Sequence, residues 1–129
     1  GPGEAAVLAV GAHMTGMALE PEIRRAGGRP LGPVRTAPAY RLFALPGTPP
    51  RPAMLRVAEG GAAVAGELWA VPLAGLGGFL AGIPSPLGLG RVALEDGRVV
   101  IGFLAEAEGC RGAEDITAFG GWRAWLARG

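Results

Sequence analysis

The run Val7-Leu8-Ala9-Val10-Gly11-Ala12-His13-Met14-Thr15-Gly16-Met17 carries the only histidine of the chain. Four successive apolar residues ended by Gly11 predict a buried strand. Gly11 and Gly16 then bracket a loop whose backbone can approach a ligand closely. An imidazole delivered into such a loop is suited to proton transfer near neutral pH. Other candidates are few, because asparagine, glutamine and lysine are absent, all 12 cations are arginine and Ser85 is the sole serine. Acids, bases and nucleophiles must come from His13, Tyr40, Cys110, Ser85, the threonines or the 11 carboxylates. One histidine and one cysteine far apart in sequence lack the spacing of a metal centre, so neither a metal nor another cofactor is expected.

Composition bounds the rest. A chain of 129 residues and 13.0 kDa should expose roughly 6,300 Å² when folded and bury about two-thirds of its extended surface, which suits one domain with one core. The 24 glycines and 12 prolines make it rich in turns, while a net charge of +1 and the aliphatic content keep it globular. The arginines are interleaved with carboxylates, which leaves no basic stripe for nucleic acid. No apolar run is long enough to span a bilayer and no basic segment precedes Val7, so neither a membrane span nor a signal peptide is expected. The lone Cys110 excludes an internal disulfide and points to a reducing, cytoplasmic setting. Gly1-Pro2-Gly3 reads as a cloning or cleavage scar, and residues 4–129 as a single domain.

Several elements must position the loop. Glu20 to Gly27 predicts a short helix, with Pro21 near its start, acids at its positive end, Arg24 and Arg25 at its negative end and Gly27 as the stop. Gly32–Thr36 and Tyr40–Leu45 suggest one strand bent at Ala37-Pro38-Ala39. Pro46 to Pro52 reads as a surface loop. Met54–Ala58 and Ala62–Val71 flank Glu59-Gly60-Gly61 as a hairpin. Leu73–Ile83 has helical spacing of apolar residues and stops at Pro84. Pro84 to Gly90 reads as a stiff start followed by a close-approach loop. Arg91–Leu94 and Arg98–Leu104 flank Asp96-Gly97 in the clearest hairpin signal. A terminal helix capped by Asp115 or Thr117 carries Trp122, Trp125 and Leu126 on one face. The sum is a small α+β domain, a mixed β-barrel flanked by two or three short helices.

Four segments in order, Val10 to Met17, Arg35 to Leu42, Ile83 to Gly90 and Glu114 to Ala124, resemble the C-terminal domain of allophanate hydrolase over about Val7 to Leu126. The resemblance implies a γ-glutamylcyclotransferase-like fold with a ligand cavity at the loop after the first strand. It also implies a role in urea nitrogen use, beside an amidase half that is missing here. That half hydrolyses allophanate to N-carboxycarbamate, and the C-terminal domain assists decarboxylation of this small dianion or serves assembly. The loop departs from the Tyr-Gly-Ser type of the cyclotransferases, and their catalytic glutamate has no counterpart that can be placed, which leaves γ-glutamylcyclotransferase activity as a third and weaker reading.

Under this reading His13 is the catalytic acid. Gly11, Ala12, Met14, Thr15, Tyr40, Leu87 and Gly88 hold the substrate, for which malonate is a mimic. His13→Ala should abolish decarboxylation with little change in melting temperature. Each residue also has a plainer reading: His13 bonded to backbone, Tyr40 a packed ring, Gly88 and Gly90 part of a turn, Cys110 an exposed idle thiol. The competing function is an assembly module that helps dimerise or position the amidase half, with Trp69, Trp122, Trp125 and the proline-rich loop as its contact surface.

Overall fold

A computed structural model describes residues 2–129; Gly1, part of the segment read as a scar, lies outside the described residues. The elements are β1 (Glu4–Ala9), α1 (Glu20–Arg25), β2 (Arg29–Arg35), β3 (Tyr40–Leu45), β4 (Arg51–Arg56), β5 (Ala65–Pro72), α2 (Leu73–Ala81), β6 (Leu87–Ala93), β7 (Val99–Ala105), β8 (Glu114–Asp115) and α3 (Trp122–Leu126). Single 3₁₀ turns lie at Ala107–Cys110 and Thr117–Phe119. The accessible surface of 6505 Å² matches a chain of this mass.

Two sheets make the α+β architecture. The larger has the order β2-β5-β1-β7-β6, and the smaller β4-β3-β8. β1 is central, antiparallel to β5 and parallel to β7, so its apolar run has neighbours on both edges and Val7, Leu8 and Ala9 are wholly buried. The larger sheet curls until its outer strands touch at one end. There the Thr36–Leu94 bridge is supported by Ala37 N–H to Ala93 C=O (2.9 Å) and Glu95 N–H to Arg35 C=O (3.0 Å). The barrel is therefore joined at a single rung and is not a continuous hydrogen-bonded cylinder.

Local signals are obeyed where they are strongest. α1 begins at Glu20, with Pro21 and the acids Glu20 and Glu22 in its first turn. It ends where Gly27 (φ +92°) donates to Arg24 C=O and Gly28 to Ile23 C=O, a Schellman closure that a left-handed glycine permits. The β6–β7 hairpin turns at Gly97 (φ +94°), whose N–H reaches Leu94 C=O at 3.0 Å. α2 covers most of the predicted Leu73–Ile83 helix.

Non-local pairing overturns other expectations. β2 and β3 are not one bent strand but members of different sheets. β4 does not pair with β5: its partner is β3, and the hairpin loop is residues 46–50. The proline-rich stretch yields to strand at Arg51 because β4 is an edge strand, where Pro52 need not donate to the ladder. Leu87 to Gly90 is the first half of β6, paired with residues 102–105, and not a loop. Cys110 is buried, which pushes its thiol pKa up, opposite to the exposed thiol expected. The terminal helix is only α3. Asp115 instead bonds the Thr117 N–H (3.0 Å), and Leu126 points to solvent. Trp69, Trp122 and Trp125 are buried in the core, so they do not supply the contact surface expected of an assembly module.

Tyr40 opens β3 with its ring 1% exposed, and its hydroxyl oxygen accepts the Ala93 N–H at 2.9 Å. The small sheet is thereby tied to the edge of the large one. Tyr40→Phe leaves that N–H without its partner, and the expected loss is about 1–3 kcal/mol, read as a lower urea midpoint with an unchanged slope.

Candidate functional site

β1 delivers the chain into the loop at Gly11, where the backbone passes Pro52 of β4. A Cβ at Gly11 would stand 2.0 Å from the Pro52 Cγ, so only glycine fits. The loop then folds on itself through Met14 N–H to Gly11 C=O (3.0 Å) and Leu19 N–H to Ala12 C=O (2.7 Å). It is also clamped from outside. Glu67 of β5 accepts the Thr15 N–H (2.7 Å) and its hydroxyl (2.9 Å), and Arg123 donates to the Thr15 carbonyl (2.6 Å).

These restraints fix His13 at 4% exposure. Its ring stacks on Phe103 at 4.9 Å between centroids and meets Phe79 edge-on at 5.3 Å. Nε2 lies 2.8 Å from the Glu22 carboxylate on α1. With Nε2–H donating to Glu22, Nδ1 is the free nitrogen, and no protein group among the described residues bonds it. Beside the ring is a hollow of about 20 Å³, lined by Gly11, Ala12, His13, Arg51, Leu87 and Phe103 among others. That is room for about one water molecule or one carboxylate oxygen. The N–H groups of Gly11, Ala12 and His13, all buried residues, enter none of the hydrogen bonds that hold the loop among the described residues. Buried backbone donors are ordinarily satisfied, so they mark a place for an acceptor.

Burial holds the His13 imidazole below its ordinary pKa. Hydrogen bonding and charge from Glu22 pull the other way, and the Arg51 guanidinium lowers it further. The free site therefore holds a neutral ring at pH 7, with an acceptor nitrogen, a nearby cation and spare amide donors. Such a set is chemically suited to an anion. A bound negative charge would then favour the protonated ring.

Of the predicted site residues, Gly11, Ala12, His13 and Leu87 share this hollow. Gly88 follows Leu87 along β6, opposite Leu104 and outside the lining. Met14 is buried and borders a separate groove near Trp122, and Thr15 sits on the exposed side of the loop. Tyr40 is spent on Ala93. Glu22, Arg51, Phe79 and Phe103 were missed. Glu22 lies on the predicted helix, but nothing in sequence singles it out from Glu20. Arg51 sits in a stretch that reads as loop. The burial of His13 also revises the expected effect of His13→Ala, since deleting a stacked ring leaves a cavity and costs stability.

A neutral buried histidine leaves a signature in stability. The unfolded chain takes up a proton near pH 6.5, whereas the folded chain does so only at lower pH, so stability is full above about 6.5 and falls as pH drops below it. The carboxylates held below their usual range, Glu20 and Asp115 among them, act only below their ordinary values of 4.5 and 3.8. Melting temperature should therefore decline between pH 6.5 and 5 in the native chain and stay flat in His13→Phe.

Comparison with known proteins places this geometry. Residues 5–127 match the family model for the allophanate hydrolase C-terminal domain. The urea amidolyases of Saccharomyces cerevisiae and Lachancea kluyveri are 37% identical over 122 residues, 91% of this chain, which spans only 7% of the length of these curated relatives. A uropathogenic E. coli-specific protein superposes with a TM-score of 0.91 at 35% identity, with 98% of each chain covered. Kluyveromyces lactis allophanate hydrolase superposes equally well at 35% identity, over 95% of this chain and 21% of that one. An AIG2-like protein of Mus musculus, at 17% identity and a TM-score of 0.65, shares the fold alone. The chain belongs to the allophanate hydrolase C-terminal domain family.

Proposed function

We propose that the domain assists loss of carbon dioxide from N-carboxycarbamate, with His13 as the proton donor. The reading is supported above all by the His13–Glu22 pair beside a hollow that also holds Arg51 and unspent amides. One carboxylate oxygen of the dianion enters the hollow toward the Gly11–His13 amides, and the rest of the molecule stays at the mouth with Arg51. Binding two negative charges raises the His13 pKa and draws a proton onto Nδ1. The C–N bond to one carboxylate then breaks, carbon dioxide leaves, and the electron pair stays on nitrogen. Nδ1–H protonates that nitrogen to give carbamate, and the ring returns to its neutral form. Glu22 accepts from Nε2–H throughout, which orients the ring and stabilises its charged form. Phe79 and Phe103 pack against the imidazole, and Phe103, which also lines the hollow, limits the water around it.

Malonate tests the binding step without turnover. Titration should saturate, shift the His13 ring resonances and raise the imidazole pKa, and Arg51→Ala should weaken binding by about tenfold. With N-carboxycarbamate generated in place by a separate allophanate amidase, His13→Gln should reduce carbon dioxide release to the uncatalysed rate. Undiminished release by a folded His13→Gln protein removes the proposal. Tyr40→Phe should change neither malonate affinity nor release, because its hydroxyl already serves Ala93.

A further inference from the structure

On the opposite side of the His13 loop lies a second concavity of about 350 Å³, between β2, the start of β5 and the segment leading into α3. Its size falls within the range of small-molecule sites. Its chemistry is unlike that of the first hollow. Two arginines, Arg35 and Arg123, border it, and no carboxylate does. Arg35 makes two long contacts across an exposed surface, an ion pair at 3.8 Å to Glu95 and a hydrogen bond at 3.5 Å to the Ala63 carbonyl. Arg123 makes no ion pair among the described residues, and one nitrogen of its fork is used on the Thr15 carbonyl. Its other donors are unspent, and a guanidinium with free donors suits a carboxylate well.

The walls between the two cations are apolar. Phe119, 42% exposed, stands on the rim, Trp122 is buried beneath, and Pro33 faces them from β2. Phe119 thus offers an apolar surface beside two cations. Gly120 holds φ +83°, and a Cβ there would meet nothing within 4 Å, so this stretch of rim is open.

We propose that this groove binds an organic carboxylate with a flat apolar body, the acid on Arg123 and Arg35 and the body against Phe119 and Trp122. Neither half suffices. A bare anion gains only solvent-exposed charge pairs, worth little in salt. A neutral aromatic leaves the guanidinium donors in water. The same chemistry is offered by a free aromatic acid and by the C-terminal residue of a peptide ending in phenylalanine.

The test is titration of the intact chain, followed by amide and arginine side-chain NMR, with phenylacetate as probe, phenylacetamide and acetate as half-ligands, and a phenylalanine-terminated tripeptide beside its C-terminal amide. Saturable shifts are expected at Phe119, Gly120 and Arg123, with the ring resonances of His13 unmoved. Both half-ligands should bind at least about tenfold more weakly. Arg123→Ala should lower affinity to a similar degree. Because that arginine also braces the loop at Thr15, Phe119→Ala, which touches no loop contact, is the second variant and should weaken phenylacetate at least fivefold, roughly 1 kcal/mol. Tighter binding of the tripeptide than of phenylacetate assigns the site to peptide termini, and the reverse order assigns it to free acids. Equal binding of phenylacetamide, displacement of phenylacetate by malonate, or full affinity in Phe119→Ala would each overturn the proposal.

Discussion

Where the chain leaves β1, its backbone runs against the ring of Pro52 with no space for a side chain at Gly11. This contact couples the centre of the large sheet to the edge strand of the small one. β1 cannot shift to relieve it, because β5 and β7 hold it along both edges. The loop beyond Gly11 therefore starts from a fixed point in a fixed direction. Everything chemical in the domain depends on that start: the buried amides of residues 11–13, the imidazole two residues on, and the hollow shared by β1, β4, β6 and β7.

A loop held at one end would still wander. Glu67 and Arg123 hold its far side from β5 and α3, and the turn bonds of Met14 and Leu19 shorten its free length. The result is a histidine fixed almost as firmly as a core residue, although it sits on irregular backbone. Two phenylalanine rings and one carboxylate then set its character. The rings exclude water and favour the neutral form, while Glu22 offsets part of that penalty and fixes which nitrogen is left free. Such opposed influences leave the protonation state responsive to whatever charge enters.

The two faces of the loop carry different surroundings. On the His13 side the space is small, buried and fitted with backbone donors. On the Met14 side it is wider, rimmed by arginines and Phe119, with Trp122 beneath. Arg123 belongs to the second face and yet holds the loop that forms the first, so the two sites share one mechanical element.

Signals confined to a few neighbouring residues were legible in the sequence. The apolar run of β1, the Pro21 start and Gly27 stop of α1, and the Asp96-Gly97 turn each follow from φ preferences and periodicity that act within one or two turns of chain. His13 stood out because it is the only group of its kind. Tertiary structure decided what adjacency in sequence cannot: that β2 and β3 part into different sheets, that Pro52 lies in an edge strand, and that Glu22, Arg51 and Phe103 converge on the imidazole. Those outcomes depend on which strands are neighbours in the curled sheet, because register brings together residues far apart in sequence, 90 positions in the case of His13 and Phe103, and local preference carries no information about such partners.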